Sequence, residues 1–555
     1  STSNTRTDMK TKFIALALCI LPCLSACTDY LDKTPDEDMT IEQVFTNPDW
    51  TRAYLSNIYS WLPNEANFAD DGAFRSPFTG GCDEMEIAYG GAFSHMINAG
   101  SWNSSNIDRI PVWREAYSAI RCANIFLAHI DHANATPDQI KVWKGEAYFL
   151  RAYFHFELLR RYNRIVIGDR SFTMQEVNTL VPVSYDDAAG WIVSECDAVI
   201  PSLPKTYLGT EKGEVARVTK GMAMALKARM LLYAASPLNN PGGDAGRYLE
   251  AAAAAKELID AGIYKLVSEE TTNNADAQGL IFGKWCPVSS DFEAANFPVG
   301  FEGGNSGVCP SQNLAEAFDM ATGEPFDWND ESMRSRMFVA SARDPRFART
   351  LIYNGATFKG QPVQSYVGGR NGRPLDGATP TSYYLRKHIV KATSFVTGSE
   401  MSYQHIFPFF RYAEVLLNYA EALAAATQNP DFTGMKGEVE YTLSPREALN
   451  AVRARYNMPG ITETDYAAFV KRLRNERRVE LAFEGHRFWD IRRWKIGAET
   501  TKVYGLTITP QNDGSFSYMR SVIQQRGWED RMNFYPIADA ELFKNHNLVQ
   551  NDGWK

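Results

Sequence analysis

The sequence predicts a mainly α-helical protein, made of repeated helix pairs that carry an irregular, loop-rich second lobe. Apolar residues recur at steps of three and four along several long segments, as they must on a helix with one buried face. Capping boxes mark where two of those segments begin. Between them lies a long stretch, 264–405, that is rich in Gly, Pro, Asn and aromatics and lacks the helical period.

Bulk properties fit this class. The chain has 555 residues, 45% of them hydrophobic and 22% charged, with 12 Trp, 26 Tyr and 31 Phe. At this length one compact core is unusual, yet one large globular body is possible. The aromatics fill a core or stand exposed as binding platforms, and composition favours the core for most of them. The formal net charge is −9, and −11 without residues 1–26, which removes Arg6, Lys10, Lys12 and Asp8. Such a chain is a poor partner for a phosphate backbone, so no nucleic-acid binding is expected.

Residues 1–8 precede Met9 and read as an upstream or tag sequence. From Met9 onward, Lys10 and Lys12 form a basic start and 13–24 an apolar run too short to span a bilayer comfortably. Leu24-Ser25-Ala26-Cys27 follows and resembles a bacterial lipobox. Residues 9–26 are therefore expected to be a lipoprotein signal peptide and Cys27 the lipidated residue, which anchors the chain to a membrane. Residues 27–40, with Asp29, Asp32, Asp36, Glu37 and Asp38, read as a flexible acidic tether. Beyond Cys27 five cysteines remain, Cys82, Cys122, Cys196, Cys286 and Cys309. Their odd number and the lack of a CxxC spacing argue against a disulfide framework and a zinc site, although Cys286 and Cys309 could pair.

The helical scaffold is expected over 41–263, interrupted by a loop region at 63–108. Its best helix is 136–164: Thr136 and Gln139 form a capping box, Pro137 takes the first position, and Ile140, Trp143, Ala147, Leu150, Phe154 and Leu158 make one stripe. It pairs with 111–130. A second pair is 218–236 with 246–262, ended by Gly262. The irregular lobe, 264–405, holds strand-like pieces at 347–355 and 382–390. The C-terminal scaffold, 406–555, starts with a pair formed by 410–426 and a helix opened by the box Ser444-Pro445-Arg446-Glu447. A further helix runs from 464 to 484 and stops at Gly485. Repeated pairs with small residues such as Ala420, Ala422 and Ala425 at close contacts suggest a tetratricopeptide-like helical repeat, without its strict consensus.

On that last helix the stripe starts as Tyr466, Phe469, Val470 and Leu473 and then reaches Arg477, Glu480, Leu481 and Glu484. Charges on a buried face must be paired. Arg474, Arg477 and Arg478 lie near Glu480 and Glu484 at helical spacing. The expectation is an internal ion-pair network that joins this helix to FWDIRRW, 488–494. Interleaved acids exclude a nucleic-acid arm, and a catalytic reading lacks a cleft.

The run ERRVELAFEGHRFWDIRRW, 476–494, resembles the C-terminal signature of the SusD/RagB family. RDPRF (343–347), FRYAEVLL (410–417), WKGEAYFLRAYFHFELLRRYN (143–163) and the ending QNDGW (550–554) agree with it. The resemblance implies a Bacteroidetes-type outer-membrane lipoprotein, exposed at the cell surface, with about four tetratricopeptide-like helix pairs and a ligand-binding irregular lobe. It implies a lid on a SusC-type TonB-dependent transporter that binds glycans, or peptides in the RagB branch, and is not an enzyme.

Sugars need flat apolar faces and a few polar groups to fix hydroxyls. By the resemblance, the candidate positions are Trp102 with Asn103 and Asn106 beside it, then Trp285, Phe292, Phe297 and Trp328. Trp61, Asp83, Glu84 and Tyr89 lie in the same irregular region as Trp102. Any one residue of these types is more often found in a core. Enzyme readings are weaker. Asp70-Asp71 and Asp83-Glu84 would need a cleft between them to act as glycosidase carboxylates, and FEGGNSG (301–307) lacks the Lys-Ser/Thr of a P-loop. HExxH and GxSxG are absent, DWNDES (327–332) lacks the glycine of a calcium loop, and the eight His are scattered. No metal or cofactor is expected.

Overall fold

The computed structural model describes residues 40–63, 80–88, 90–207, 216–267 and 278–554. The expected leader, Cys27, all but the last residue of the tether, Asp70-Asp71 and Tyr89 lie outside these residues.

Helices pack in sequence order. Val112–His129 lies on Pro137–Tyr162, which lies on Tyr185–Val199, then Lys220–Ala235, then Ala245–Asp260. The series continues through Tyr412–Thr427 to Pro445–Ala454 and Tyr466–Glu480. The first six of these helices make three consecutive pairs, and Tyr412–Thr427 also carries the last two, so that each buries a face that no single helix could cover alone. The expected starts hold: Thr136 and Ser444 each form a complete capping box with Gln139 and Glu447. One scaffold helix, Tyr185–Val199, is missing from the sequence reading. Ser184 opens it by accepting from the backbone N–H of Asp187, a weaker signature than a Glu or Gln at that position. Its presence shifts the pairing, so that Ala245–Asp260 joins Tyr412–Thr427 across the whole irregular lobe.

Strand pairing shows how that lobe is inserted. Leu280–Trp285, at its entry, pairs antiparallel with Ile406–Arg411, at its exit. The lobe is thus an excursion closed at its base, between two helices that touch. Met85–Ile87 pairs with Val308–Pro310 and ties the early loop region to the lobe. Leu351–Ile352 pairs with Tyr384–Leu385 inside it. Helix 345–350 and this short strand replace the strand expected at 347–355. The expected C-terminal scaffold also holds a long hairpin, Lys502–Pro510 with Phe516–Gln525, which sits against helix Gln312–Ala317.

Helix Pro137–Tyr162 runs through the centre. Its predicted stripe is buried at Ala147, Leu150, Phe154 and Leu158, and so are Phe149, Tyr153 and Phe156 on the other side. Burial of each large apolar side chain contributes roughly 1.5–3 kcal/mol. None of the five remaining cysteines forms a disulfide, so Cys286 and Cys309 are not joined to each other. The Cys309 thiol instead points at the Ser306 carbonyl.

Candidate functional site

Helix Tyr466–Glu480 ends at Leu481, and Gly485, with φ +77°, opens helix His486–Arg493. Steps of three and four put Glu476, Arg477 and Glu480 on the inner face, all nearly sealed. The expected pairing of Arg474, Arg477 and Arg478 with Glu480 and Glu484 does not form. Arg477 donates to Asp490 at 2.7 Å and to Asn418 at 2.6 Å. Arg478 and Arg487 reach Asp83 at 3.0 and 2.8 Å. Glu480 accepts from Arg346 and Arg411 at 3.0 and 3.1 Å and from Arg455. Glu484 accepts from Arg411 at 2.8 Å and from Lys387 at 2.6 Å. Glu476 takes Arg346 and Arg453. The network is therefore long-range. A helix that buries its charged face meets cations from other segments, while its own arginines turn to other carboxylates. Burial alone would raise the Glu480 carboxyl, but Arg455, Arg411 and Arg346 hold it well below the usual range. The same balance with Arg478 and Arg487 holds Asp83 low.

This brace is also one wall of a cavity of about 570 Å³ at the seam between scaffold and lobe. Glu480, Glu484, Arg346 and Arg411 form the inner side; Tyr456 comes from the scaffold, and Arg349, Ile352, Arg386 to Ile389 and Lys391 from the lobe. Its size falls within the usual range for ligand pockets. Tyr456 is half-buried, with Arg455, Arg346 and Arg349 at 4.6, 5.0 and 5.4 Å from its ring centre. Burial pushes its phenol up to about 12. His388 is pushed down to about 3, by burial and then by the Lys387 charge, so it is neutral and donates from Nε2 to the Phe483 carbonyl at 2.9 Å. Arg386 is half-buried and its guanidinium donates to the Ile389 carbonyl at 3.0 Å. Burial, with no carboxylate to oppose it, lowers its pKa. Lys391 is exposed at the mouth.

The residues expected from the sequence do not converge on one site. Trp102 is 1% exposed and packs edge-on against Tyr535 and Trp554, with ring centres 5.1 and 4.8 Å away. Phe297 is fully buried between Phe358 and Phe395. Asp83 is buried under Arg478 and Arg487. These three expectations are corrected: none offers a face to a ligand. A large insertion must build its own core, and its aromatics are the material at hand. Phe292 and Glu84 are buried too.

Trp61, Trp285 and Trp328 are half-buried. Lys284 brings the first two segments together by donating to the carbonyls of Ser60 and Leu62 at 3.2 and 3.1 Å. Arg334 covers Trp328 at 5.8 Å. Asn103 is exposed, but its side-chain oxygen is used locally by Ser105. Sequence reasoning missed Arg349, Arg386, Lys387, Lys391 and Tyr456. The run Arg386-Lys387-His388 with Lys391, basic within an acidic chain, was the available signal.

Two family models match the chain. One, described as the SusD family, covers residues 282–554, and one described as starch-binding associating with outer membrane covers 29–232. SusD-like protein P2 of Formosa agariphila is 25% identical over 453 residues, 79% of each chain. A SusD-like protein of Bacteroides fragilis superposes with a TM-score of 0.78 at 25% identity, covering 94% of this chain and all of that one. A SusD-like carbohydrate-binding protein of the same species gives 0.74 at 24% identity, over 91% of this chain and all of its own.

Proposed function

Since the chain belongs to the SusD/RagB family, we propose that it is a lipid-anchored glycan-binding protein of the outer membrane. It captures oligosaccharides or polysaccharides at the cell surface and delivers them to a SusC-type TonB-dependent transporter. The observation that carries the binding reading is the 570 Å³ cavity at the seam, which gathers an aromatic ring and several hydrogen-bond donors from two lobes. The family description as starch-binding at the outer membrane supports it, as does the carbohydrate-binding relative. Cys27 is the proposed anchor. Trp61, Trp285, Trp328 and Asn103 are proposed as secondary contacts along a longer glycan.

Capture without cleavage fits the carboxylates. A glycosidase acid needs a raised pKa beside the scissile bond. Glu480 and Glu484 face the cavity, but arginine and lysine partners hold both below the usual range. A glycan array on the mature chain, with reducing-sugar release measured in parallel, tests the proposal. Retention of one or more glycans without release is expected. Peptide binding with no glycan bound would replace it with a RagB-type peptide-binding lid, and sugar release would make the chain a glycosidase.

A further inference from the structure

We propose that the cavity selects an acidic saccharide, with Arg386 in its wall and Lys391 at its mouth receiving a carboxylate or sulfate ester of the glycan. This rests on the glycan-binding reading and names the class of glycan.

The argument is one of charge and position. Arg346, Arg349, Arg386, Lys387, Lys391 and Arg411 line the cavity, and Glu480 and Glu484 are the carboxylates that line it with them; Arg346 is held in addition by Asp344 and Glu476. Those two carboxylates are already shared. Glu480 serves Arg346, Arg411 and Arg455, and Glu484 serves Arg411 and Lys387. Arg386 gains nothing from them: among the described residues its guanidinium bonds only the Ile389 carbonyl. Lys391 makes no hydrogen bond or ion pair among the described residues. His388, on the same segment, is neutral and tied to the Phe483 carbonyl, so it neither adds to nor offsets this surplus.

A half-buried guanidinium without an anionic partner has lost part of its hydration and has gained little in return. An anion entering the cavity restores that loss. The planar fork of arginine matches the paired oxygens of a carboxylate or sulfate, and an ammonium at the mouth attracts the same charge from solvent. The surrounding chain carries a net charge of −9, so this surplus is a local reversal of the protein's overall field.

Titration calorimetry on the full chain tests this with three tetrasaccharides: a galacturonate oligomer bearing carboxylates, a κ-carrageenan oligomer bearing sulfates, and neutral cellotetraose. At least one acidic probe is expected to bind about tenfold or more tighter than cellotetraose, and to weaken as salt is added. Which acidic probe wins identifies the anionic group. Arg386→Gln and Lys391→Gln are each expected to lower acidic-probe affinity by about threefold or more, with melting temperature unchanged. Should Arg386→Gln fold poorly, the exposed Lys391 still gives the answer. Equal binding of all three probes, or acidic binding that survives both substitutions, overturns the inference and leaves glycan binding intact. Failure of every glycan, on the array as well as here, overturns both.

Discussion

The brace and the cavity mouth are both rich in cations, and they lie on either side of the same two carboxylates. In the brace, Arg346 and Arg411 are nearly sealed and each holds at least two carboxylates. In the outer wall and at the mouth, Arg386 and Lys391 reach solvent and hold no carboxylate among the described residues. Residue type does not separate the two regions. Stoichiometry and burial do: a sealed cation with its anions in place is fixed structure, whereas a half-exposed cation without one is available to a ligand. Glu84 is the inverse case. Its neighbour Asp83 takes both Arg478 and Arg487, and Glu84 is left fully buried with no ion pair among the described residues.

The largest effect should come from the brace. Glu480→Ala leaves Arg346, Arg411 and Arg455 each short of a partner, and breaking a buried ion pair costs about 3–5 kcal/mol. The denaturant midpoint should fall accordingly; a change within error would mean that the network is not holding the fold.

Glu84 gives the next. Burial, ahead of any charge effect, raises its carboxyl from 4.5 to about 7. The folded state therefore keeps a proton that the unfolded chain releases above pH 4.5, so the Glu84 contribution is complete below that pH and is lost as pH rises through about 7. The loss is on the order of 3 kcal/mol. Unfolding measured at pH 5 and pH 7.5 should show stability falling over this window, and Glu84→Gln should reduce the fall.

Thr136→Ala, which removes a capping box from the central helix, should cost about 1 kcal/mol by the same denaturant titration. The smallest effect belongs to the mouth: Lys391→Gln should change stability by less than about 0.5 kcal/mol. A loss as large as that of Glu480→Ala would erase the contrast between the two regions.

Much of the scaffold was legible because its signals are local. Thr136 with Gln139 and Ser444 with Glu447 announce their helices within four residues. Helix Tyr185–Val199 was harder, since Ser184 and Asp187 cap it without the full box. The hairpin 502–525 depends on pairing with its own far strand and on packing against helix Gln312–Ala317. The burial of the charges on helix Tyr466–Glu480 was readable from their place on the apolar stripe. Their partners were not, because Arg346 and Arg411 arrive from segments more than sixty residues away. The site was least legible. Trp102 and Phe297 have the composition of a sugar platform, yet long-range packing seals both. Arg386 becomes conspicuous only when the carboxylates around it are seen to be taken.

A crystal structure of the chain with the bound acidic tetrasaccharide tests the central claim most directly. The account predicts an anionic group of the sugar against Arg386 and Lys391, with Glu480 still bonded to Arg346 and Arg411. A sugar resting on Trp61, Trp285 or Trp328 with the cavity unfilled, or one that displaces Glu480 from its arginines, would contradict it.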